Sequence, residues 1–525
     1  MFDTMFAGLG QAELVAVIEQ AGRDEIAASA RRLAAIAELV HVTVEEDDQR
    51  GGWVYDCWTN TAAMVGAAMT IGQRRASGQM HIAVALRDRL PRIAALYCQG
   101  LLSPRLVSEL TWRTRLVEDH DVLAVIDAAL ARKATTWGAH SEAALTRAIE
   151  SVIERYDPDA VRRAKAITRG RDVRIGACDD PNEIATVVAQ LFAQDAAALQ
   201  ARITELVSGL CPDDPRSAGD RRSDALAAIT HRTEHLSCRC GSQDCPATAP
   251  QKSSVLIRVI ADQAAITAAQ HLIEREDIEH AQKRTAHTKP QTDAAPPTEP
   301  AQPVTAQHDS GTALLPGAKI LPIAALAEAI RAGARIKPFR MPGPDPEPHY
   351  TPSARLAEYV RARDQFCRHP GCTVPAEHCD IDHIVAWPYG PTHPSNLACK
   401  CRTHHLGKTF WHGWTDTQKP DGTITLTTPI GHTYTTAPSA PLFFPNFPTT
   451  TAELPPMAKP PPPEPARILK MPRRRRTRAA DNTARIHAER AHNAAERQLA
   501  QQRARELQQL RANRQQARDP DPPPF

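Results

Sequence analysis

The chain has 525 residues, 42% of them hydrophobic, which is more than one core usually organises, so two or more folded domains joined by linkers are expected. No apolar run is long enough to span a bilayer, and the N-terminal MFDTMFAGLG carries an acid and no base before its apolar residues, so it fails as a secretory signal; a cytoplasmic protein with no membrane partner is expected. The net charge of +3 conceals an asymmetry, because residues 466–518 hold 15 Lys and Arg against 4 Asp and Glu, a tail that attracts polyanions such as nucleic acid.

Along the chain, Ile26, Ala30, Leu33, Ala37 and Val40 recur at spacings of four and three, which predicts an amphipathic helix over 11–40. Further helices are expected over 62–70, 79–99, 103–116, 120–133 and 141–155, with Ser103 as an N-cap and Pro104 at the first helical position. The runs VRIGA and IATVVAQL, separated by DDPNE, predict a small hairpin, after which helical periodicity returns over 195–210. Residues 286–307 lack periodic apolar residues and are rich in Pro, Thr and Gln, the composition of a flexible tether. A short helix over 323–334 precedes the proline-rich FRMPGPDPEPHYTP. The later span APSAPLFFPNFPTTTAELPPMAKPPPPEP reads as disordered, and the helix over 478–518 has so few apolar anchors that it should extend rather than pack. The expected organisation is a mainly helical domain with a small β-hairpin over 10–285, a disordered linker over 286–315, a short helix and linker over 316–348, a compact module over 349–437, a Pro-rich disordered linker over 438–466 and a basic helical tail over 467–525.

Twelve cysteines in a reducing compartment are better read as metal ligands than as disulfides where they cluster. In VRARDQFCRHPGC, Cys367 and Cys372 form a knuckle; Cys401 and His404, from a helix start in CKCRTHH, complete a four-ligand set suited to a tetrahedral structural Zn²⁺. Cys399 is the alternative fourth ligand in place of His404. A module so rich in Pro and Gly buries little apolar surface, so the metal would supply folding free energy that the core lacks. Cys238, Cys240 and Cys245 offer three more thiols, with His231 or His235 as candidate fourth ligand; the other reading is a plain glycine-containing loop. Cys57, Cys98, Cys178 and Cys211 stand alone and are expected to be buried small hydrophobes.

Between the ligand pairs and just after the second lie the residue types that metal-assisted phosphodiester hydrolysis requires. Asp382 and His405 are the expected ligands of one divalent ion, Mg²⁺ or Mn²⁺, with open positions for substrate. His383, kept neutral, is the expected general base, and Asn396 the residue that fixes its orientation through the backbone or ring nearby. Downstream, Asp421 and Gly422 between alternating runs predict a type I′ hairpin that extends the sheet, with Ile424 and Leu426 facing the module. Trp387, Trp411 and Trp414 could stack on bases but are expected to pack around the zinc core. His378, His393 and His412 are expected at the surface, and Lys408 either meets a phosphate or is a solvated helix lysine.

The order DH, then N, then HH, with flanking Cys pairs, resembles the HNH nucleases of the ββα-metal superfamily. More narrowly, RDQFCRHPGC, CDIDHI and GPTHPSNLACKCRTHH resemble the actinobacterial 13E12 repeat family, in which a helical domain of unknown function precedes an HNH module. The resemblance covers most of residues 10–437. It implies a zinc-stapled ββα-metal fold with Asp382 and His405 as catalytic-metal ligands, His383 as base, Asn396 as orienting residue and Cys367, Cys372, Cys401 and His404 as the zinc set. It further implies an HNH endonuclease acting on nucleic acid, with DNA the expected substrate; cutting both strands would require a homodimer. The rival readings are a non-catalytic zinc-containing nucleic-acid-binding or scaffolding protein and, more weakly, a hydrolase of small phosphoesters, against which the basic tail argues. No motif assigns a role to the helical domain.

Overall fold

A computed structural model of the chain describes residues 2, 4–45, 49–135, 137, 140–161, 172–176, 186–191, 193–242, 245, 259–286, 311–315, 318–331, 333–455 and 470–516. The N-terminal part is a helical bundle: α1 (Gln11–Thr43), α2 (Cys57–Met69), α3 (Gln73–Asp88), α4 (Pro91–Cys98), α5 (Pro104–Arg113), α6 (His120–Ala134) and α7 (Glu142–Tyr156). Its core joins Leu33 and Val40 of α1 to Met80, Ile93, Leu110, Ile126 and Ile153. α1 buries one stripe, at Ala30, Leu33, Ile36, Ala37 and Val40, as the sequence periodicity requires. The single helix expected over 79–99 is two helices, because Pro91 has no N–H to continue the ladder and instead opens α4 at its first position.

Two smaller units follow. The strands β1 (Asp172–Ile175) and β2 (Val187–Gln190) pair antiparallel, ahead of α8 (Ala193–Ser208) and α9 (Ala218–Thr230). Then β3 (Ile260–Ala261), α10 (Gln263–Ala286), β4 (Ala313–Leu315), β5 (Lys319–Ile320) and α11 (Ile323–Arg331) share a core of Ala265, Ala269, Ala313, Leu326 and Ala327. Of the linker expected over 286–315, residues 287–310 lie outside the described residues, while 313–315 is the central strand of the sheet β3-β4-β5 rather than tether.

The motif-bearing module comprises α12 (Ala354–Asp364), the antiparallel pair β6 (Cys379–His383) and β7 (Leu397–Cys401), α13 (Arg402–Phe410), and β8 (Thr415–Gln418), β9 (Ile424–Thr427) and β10 (Thr433–Thr436). The last three form their own sheet, in the order β10-β9-β8, and do not extend β6-β7. Ile424 and Leu426 do turn inward and are buried. The β8–β9 turn is not type I′. A two-residue loop at Asp421 and Gly422 would need an N–H from Pro420, which has none, so the turn closes one residue further out, with Lys419 N–H donating to Thr423 O and Gly422 N–H to Lys419 O.

Parts of two stretches expected to be disordered or extended are packed; residues 456–469, between them, lie outside the described residues. Residues 438–455 lie against the module: Tyr359 Oη donates to Pro448 O and Thr449 O, Ser395 Oγ meets Thr451 Oγ1 and Ala452 O, and Phe444 is buried. Proline content signalled disorder there, but the phenylalanines and received hydrogen bonds anchor the backbone. The tail helix α14 (Arg478–Gln516) docks by its first half on the helical bundle. Asn493 is buried and donates to Asp159 O and Val161 O, while Arg478, Arg490 and Arg497 pair with Asp56, Asp157 and Asp159. Asn482 also receives Arg115, and Ile486 rests on the bundle core; docking that runs mainly through arginines and asparagines leaves no apolar period to read. Its second half, residues 501–515, is exposed throughout. Among the described residues, no helix is long and apolar enough to cross a membrane.

The module packs on the bundle. Trp53 and Tyr55, just before α2, join Leu406 of α13 and Met471 in one cluster; Ala63 and Met64 of α2 join Trp414 and Leu426 in another. α2 is apolar nearly all round because it is buried on both sides, by α1 and α3 on one and by the module on the other.

Candidate metal centres and active site

A buried charge knot sets the frame. Arg363 and Asp364, at the end of α12, are fully buried; Asp364 pairs with Arg363 and Arg368 and accepts from Cys399 N–H, while Arg363 donates to Pro394 O and Leu397 O. Burial opposes the Asp364 carboxylate, but the two guanidiniums outweigh it and hold its pKa below the usual range. The knot fixes the loop before β7, and with it Asn396 and the register of β6 on β7.

The first candidate metal centre is built at the far end of that pair. Cys367 and Cys372 come from the loop after α12, Cys401 ends β7 and His404 lies in the first turn of α13; one donor atom from each falls within 4.8 Å of all the others. His404 Nδ1 is 3.4 Å from Cys367 Sγ and 3.2 Å from Cys401 Sγ. Burial works against a thiolate at Cys367, yet hydrogen bonds from its neighbours Cys372, Cys379, Cys401 and His404 hold its thiol well below the usual range, and Cys367 and Cys401 push Cys372 far up. Sulfurs competing for one negative charge are what a divalent cation relieves. Cys399 takes no part: it is fully buried two residues before Cys401 on β7, with its Sγ toward Val360 O of α12.

A second centre gathers Cys211, Cys238, Cys240 and Cys245 within the same limit. Its fourth member is Cys211, 3.2 Å from Cys238 Sγ, and neither His231 nor His235. Cys211 stands 27 residues upstream, so local spacing does not reveal it. Asp214, buried between Arg216 and Arg221 and accepting from Arg239 N–H, braces the two cysteine-bearing loops together. Both Cys-rich clusters are consistent with structural zinc.

Strand alternation arranges the remaining polar residues. Asp380 and Asp382, two apart on β6, both face α13. His405 Nδ1 donates to Asp380 Oδ2 at 2.8 Å, which in the neutral ring puts the lone pair on Nε2, 3.6 Å from Asp382 Oδ1. That separation is within what two ligands at about 2.1 Å from one ion can span. The other carboxylate oxygen, Asp382 Oδ2, accepts from Lys408 Nζ at 2.7 Å. Lys408 therefore is neither solvated nor displayed for a phosphate; it also donates to His383 O, at 2.6 Å.

His383, next along β6, projects to the opposite face and is buried. The structure brings Asp382 and His405 together, but the His383 ring meets a different set of groups. Its Nε2 is 2.9 Å from Thr392 Oγ1, whose own hydrogen goes to His349 O, so Nε2 carries the proton and Nδ1 is the basic nitrogen. Tyr350 stacks on the ring at 5.3 Å, and Trp387 lies at 6.3 Å. Burial lowers the His383 pKa, partly offset by Asp382. Asn396 does not touch the ring; its side chain clamps the following loop through Val385 N–H, Val385 O and Pro391 O.

The other expectations divide. Trp414 packs edge-on against His369, which stacks on His404, and also meets Asn60 and Met64 of the bundle, while Trp411 packs against Tyr55; Trp387 is 36% exposed, with Tyr350 and Tyr389 also open to solvent beside it. His378 and His412 are exposed, whereas His393 is fully buried, its Nδ1 accepting from Ser395 N–H to cap the short turn before β7. Sequence reasoning passed over Asp380, although its two-residue spacing from Asp382 is the strand signal that puts both carboxylates on one face. It also passed over Thr392 and the Arg363–Asp364 knot, whose partners only the fold supplies.

The domain of unknown function DUF222 matches residues 20–364, ending at the last residue of α12, just before the first cysteine knuckle. The uncharacterized protein Rv3776 of Mycobacterium tuberculosis is 50% identical over 485 residues, which are 92% of this chain and 90% of that protein. The uncharacterized protein Rv2100 of the same organism is 50% identical over 484 residues, 91% of this chain and 87% of its own. A third mycobacterial relative, an uncharacterized protein in the est 3' region, is 45% identical over 352 residues, 66% of this chain and 95% of its own. No solved structure matches.

Proposed function

The chain belongs to the DUF222 family, and from that premise we propose that its C-terminal module is a metal-dependent HNH endonuclease that hydrolyses phosphodiester bonds in DNA. The observation that carries the reading is the poise of His405: Asp380 fixes its tautomer so that the Nε2 lone pair faces Asp382 Oδ1 at 3.6 Å. A carboxylate behind a ligating imidazole is the usual outer partner of a catalytic metal site. Mg²⁺ or Mn²⁺ held by Asp382 and His405 would polarise a phosphoryl oxygen and stabilise the departing alkoxide.

His383 contributes the base. Its Nε2–H is committed to Thr392, so Nδ1 is the nitrogen that takes a proton from water, and burial keeps the ring neutral. Asn396 acts one step back, holding the loop that follows His383. Trp387, Tyr350 and Tyr389 offer exposed rings beside this residue, on which unpaired bases can stack. The exposed half of α14 carries Arg503, Arg505, Arg511 and Arg514 for binding phosphates.

Purified protein incubated with supercoiled plasmid and Mg²⁺ or Mn²⁺, beside His383→Ala, tests the reading: nicking by the wild type alone supports it. A second reading, a zinc-stapled nucleic-acid-binding protein without catalysis, is favoured by Lys408, whose ammonium already neutralises Asp382. DNA binding without cutting under any divalent ion would select that reading.

A further inference from the structure

We propose that the helical DUF222 bundle is the outer shell of the Cys3His centre, with Gln73 as the residue that positions His404 on the metal. The inference rests on that centre holding zinc and is independent of the nuclease reading.

His404 presents Nδ1 to the thiols and Nε2 away from them, toward Gln73 Oε1 at 3.4 Å. Gln73 is the first residue of α3, and its amide cannot turn over, because its Nε2 donates to Thr59 O of α2 at 2.8 Å. The acceptor oxygen is thereby aimed at His404, which fixes the imidazole with hydrogen on Nε2 and the lone pair on Nδ1, the form a zinc ligand needs. A second clamp acts on the flat of the ring. His369 stacks on His404 at 3.7 Å with planes 8° apart, and its Nε2 lies 3.2 Å from Ala63 O, also in α2.

The backbone around the centre is shaped to the bundle as well. Gly371, in the knuckle between Cys367 and Cys372, has φ +70, and a Cβ there would lie 2.3 Å from Ile71 N, in the turn joining α2 to α3. Gly407, one turn after His404, leaves the space in which Tyr55 sits; a Cβ would be 2.6 Å from Tyr55 Cζ. The ligand loop and the ligand helix are thus both pressed on residues 55–73, so a metal that holds the four module ligands in place also shapes the surface on which the bundle docks. This assigns the bundle a task that its own sequence does not announce.

The test is chelator-driven zinc release from the full-length chain, followed with a colorimetric zinc indicator, for wild type, Gln73→Leu and Gln73→Glu, each also in a His404→Cys background. Gln73→Leu should speed the loss of one zinc equivalent about 10- to 100-fold and leave the other unchanged, as removal of an outer-shell partner does. Gln73→Glu, which keeps an acceptor for Nε2–H, should release no faster than wild type. With Cys at 404 there is no ring to orient, so Gln73→Leu should then have no effect. Unaltered release from Gln73→Leu, or equal acceleration with and without His404, would overturn the assignment, the second outcome marking a purely structural role. Wild-type protein that purifies without zinc in this site would instead remove the zinc reading on which the assignment stands.

Discussion

His405 Nε2 and Asp382 Oδ1 face each other across 3.6 Å, from a helix and a strand whose relative position is fixed by the β6–β7 pair and the Arg363–Asp364 knot beneath it. Rigid elements on both sides are what a preorganised ion site requires. The first prediction concerns the residue behind the imidazole. Asp380→Asn weakens the bond that sets the His405 tautomer without removing a ligand, so the Mn²⁺ concentration for half-maximal nicking should rise about 10- to 100-fold. Asp382→Ala should abolish nicking at any Mn²⁺ concentration; equal behaviour of the two variants would argue against the separate roles.

Loss of the proposed base in His383→Ala should lower the nicking rate by roughly 10²- to 10⁴-fold. Its pH dependence has a definite sign. Burial holds the imidazole below its ordinary value, and the base acts unprotonated, so activity persists as pH falls until that lowered value is reached. The rate should stay level from pH 8 to about 6.5, the ordinary imidazole value, and decline only below it. Thr392→Val removes the acceptor that commits Nε2–H; a rate and a pH profile both unchanged in that variant would exclude this tautomer assignment.

Zinc content separates the cysteines. Wild type should bind two equivalents by elemental analysis, Cys211→Ser one, and Cys399→Ser two, since Cys399 lies outside both clusters. Cys401→Ser should lose the other equivalent and melt the module, because structural zinc supplies folding free energy on the order of 10 kcal/mol that so small a core cannot replace. Thermal unfolding followed by tryptophan fluorescence reports this directly, since Trp411 and Trp414 are packed at the junction with the bundle.

Gly371→Ala tests the docking of knuckle on bundle. The substitution forces a positive φ on an L side chain and drives a methyl into backbone at residues 70 and 71, so destabilisation of about 2–4 kcal/mol is expected in equilibrium denaturation. Gly431→Ala is a strain-only comparison, with φ +84 and nothing near its Cβ position, and should cost about 1–2 kcal/mol. Equal losses would mean that the bundle does not crowd the knuckle.

Truncation after residue 498 removes the exposed half of α14 and keeps the docked half with Asn493 and Arg497. DNA binding should weaken, and the slope of log K against log salt should become shallower by about two to four, at roughly 0.9 for each phosphate that is no longer neutralised. An unaltered slope would show that this arginine-rich surface does not touch DNA.

Local chemistry made much of this protein readable from its sequence. Helical period marked α1, the Ser103–Pro104 pair marked the start of α5, and the short spacing of Cys367 to Cys372 and of Cys401 to His404 marked two halves of one Cys3His cluster, because each signal depends on residues a turn or a loop apart. Long-range geometry stayed silent. Cys211 joins Cys238 from far upstream, Gln73 reaches His404 across more than 300 residues, and α14 docks through arginines and Asn493 that carry no apolar period. The reason is physical: a helix or a knuckle is chosen by nearest neighbours, and its code is local. Which surface an imidazole, a carboxylate or an arginine finally faces is decided by the packing of whole elements, and only the folded chain computes that sum.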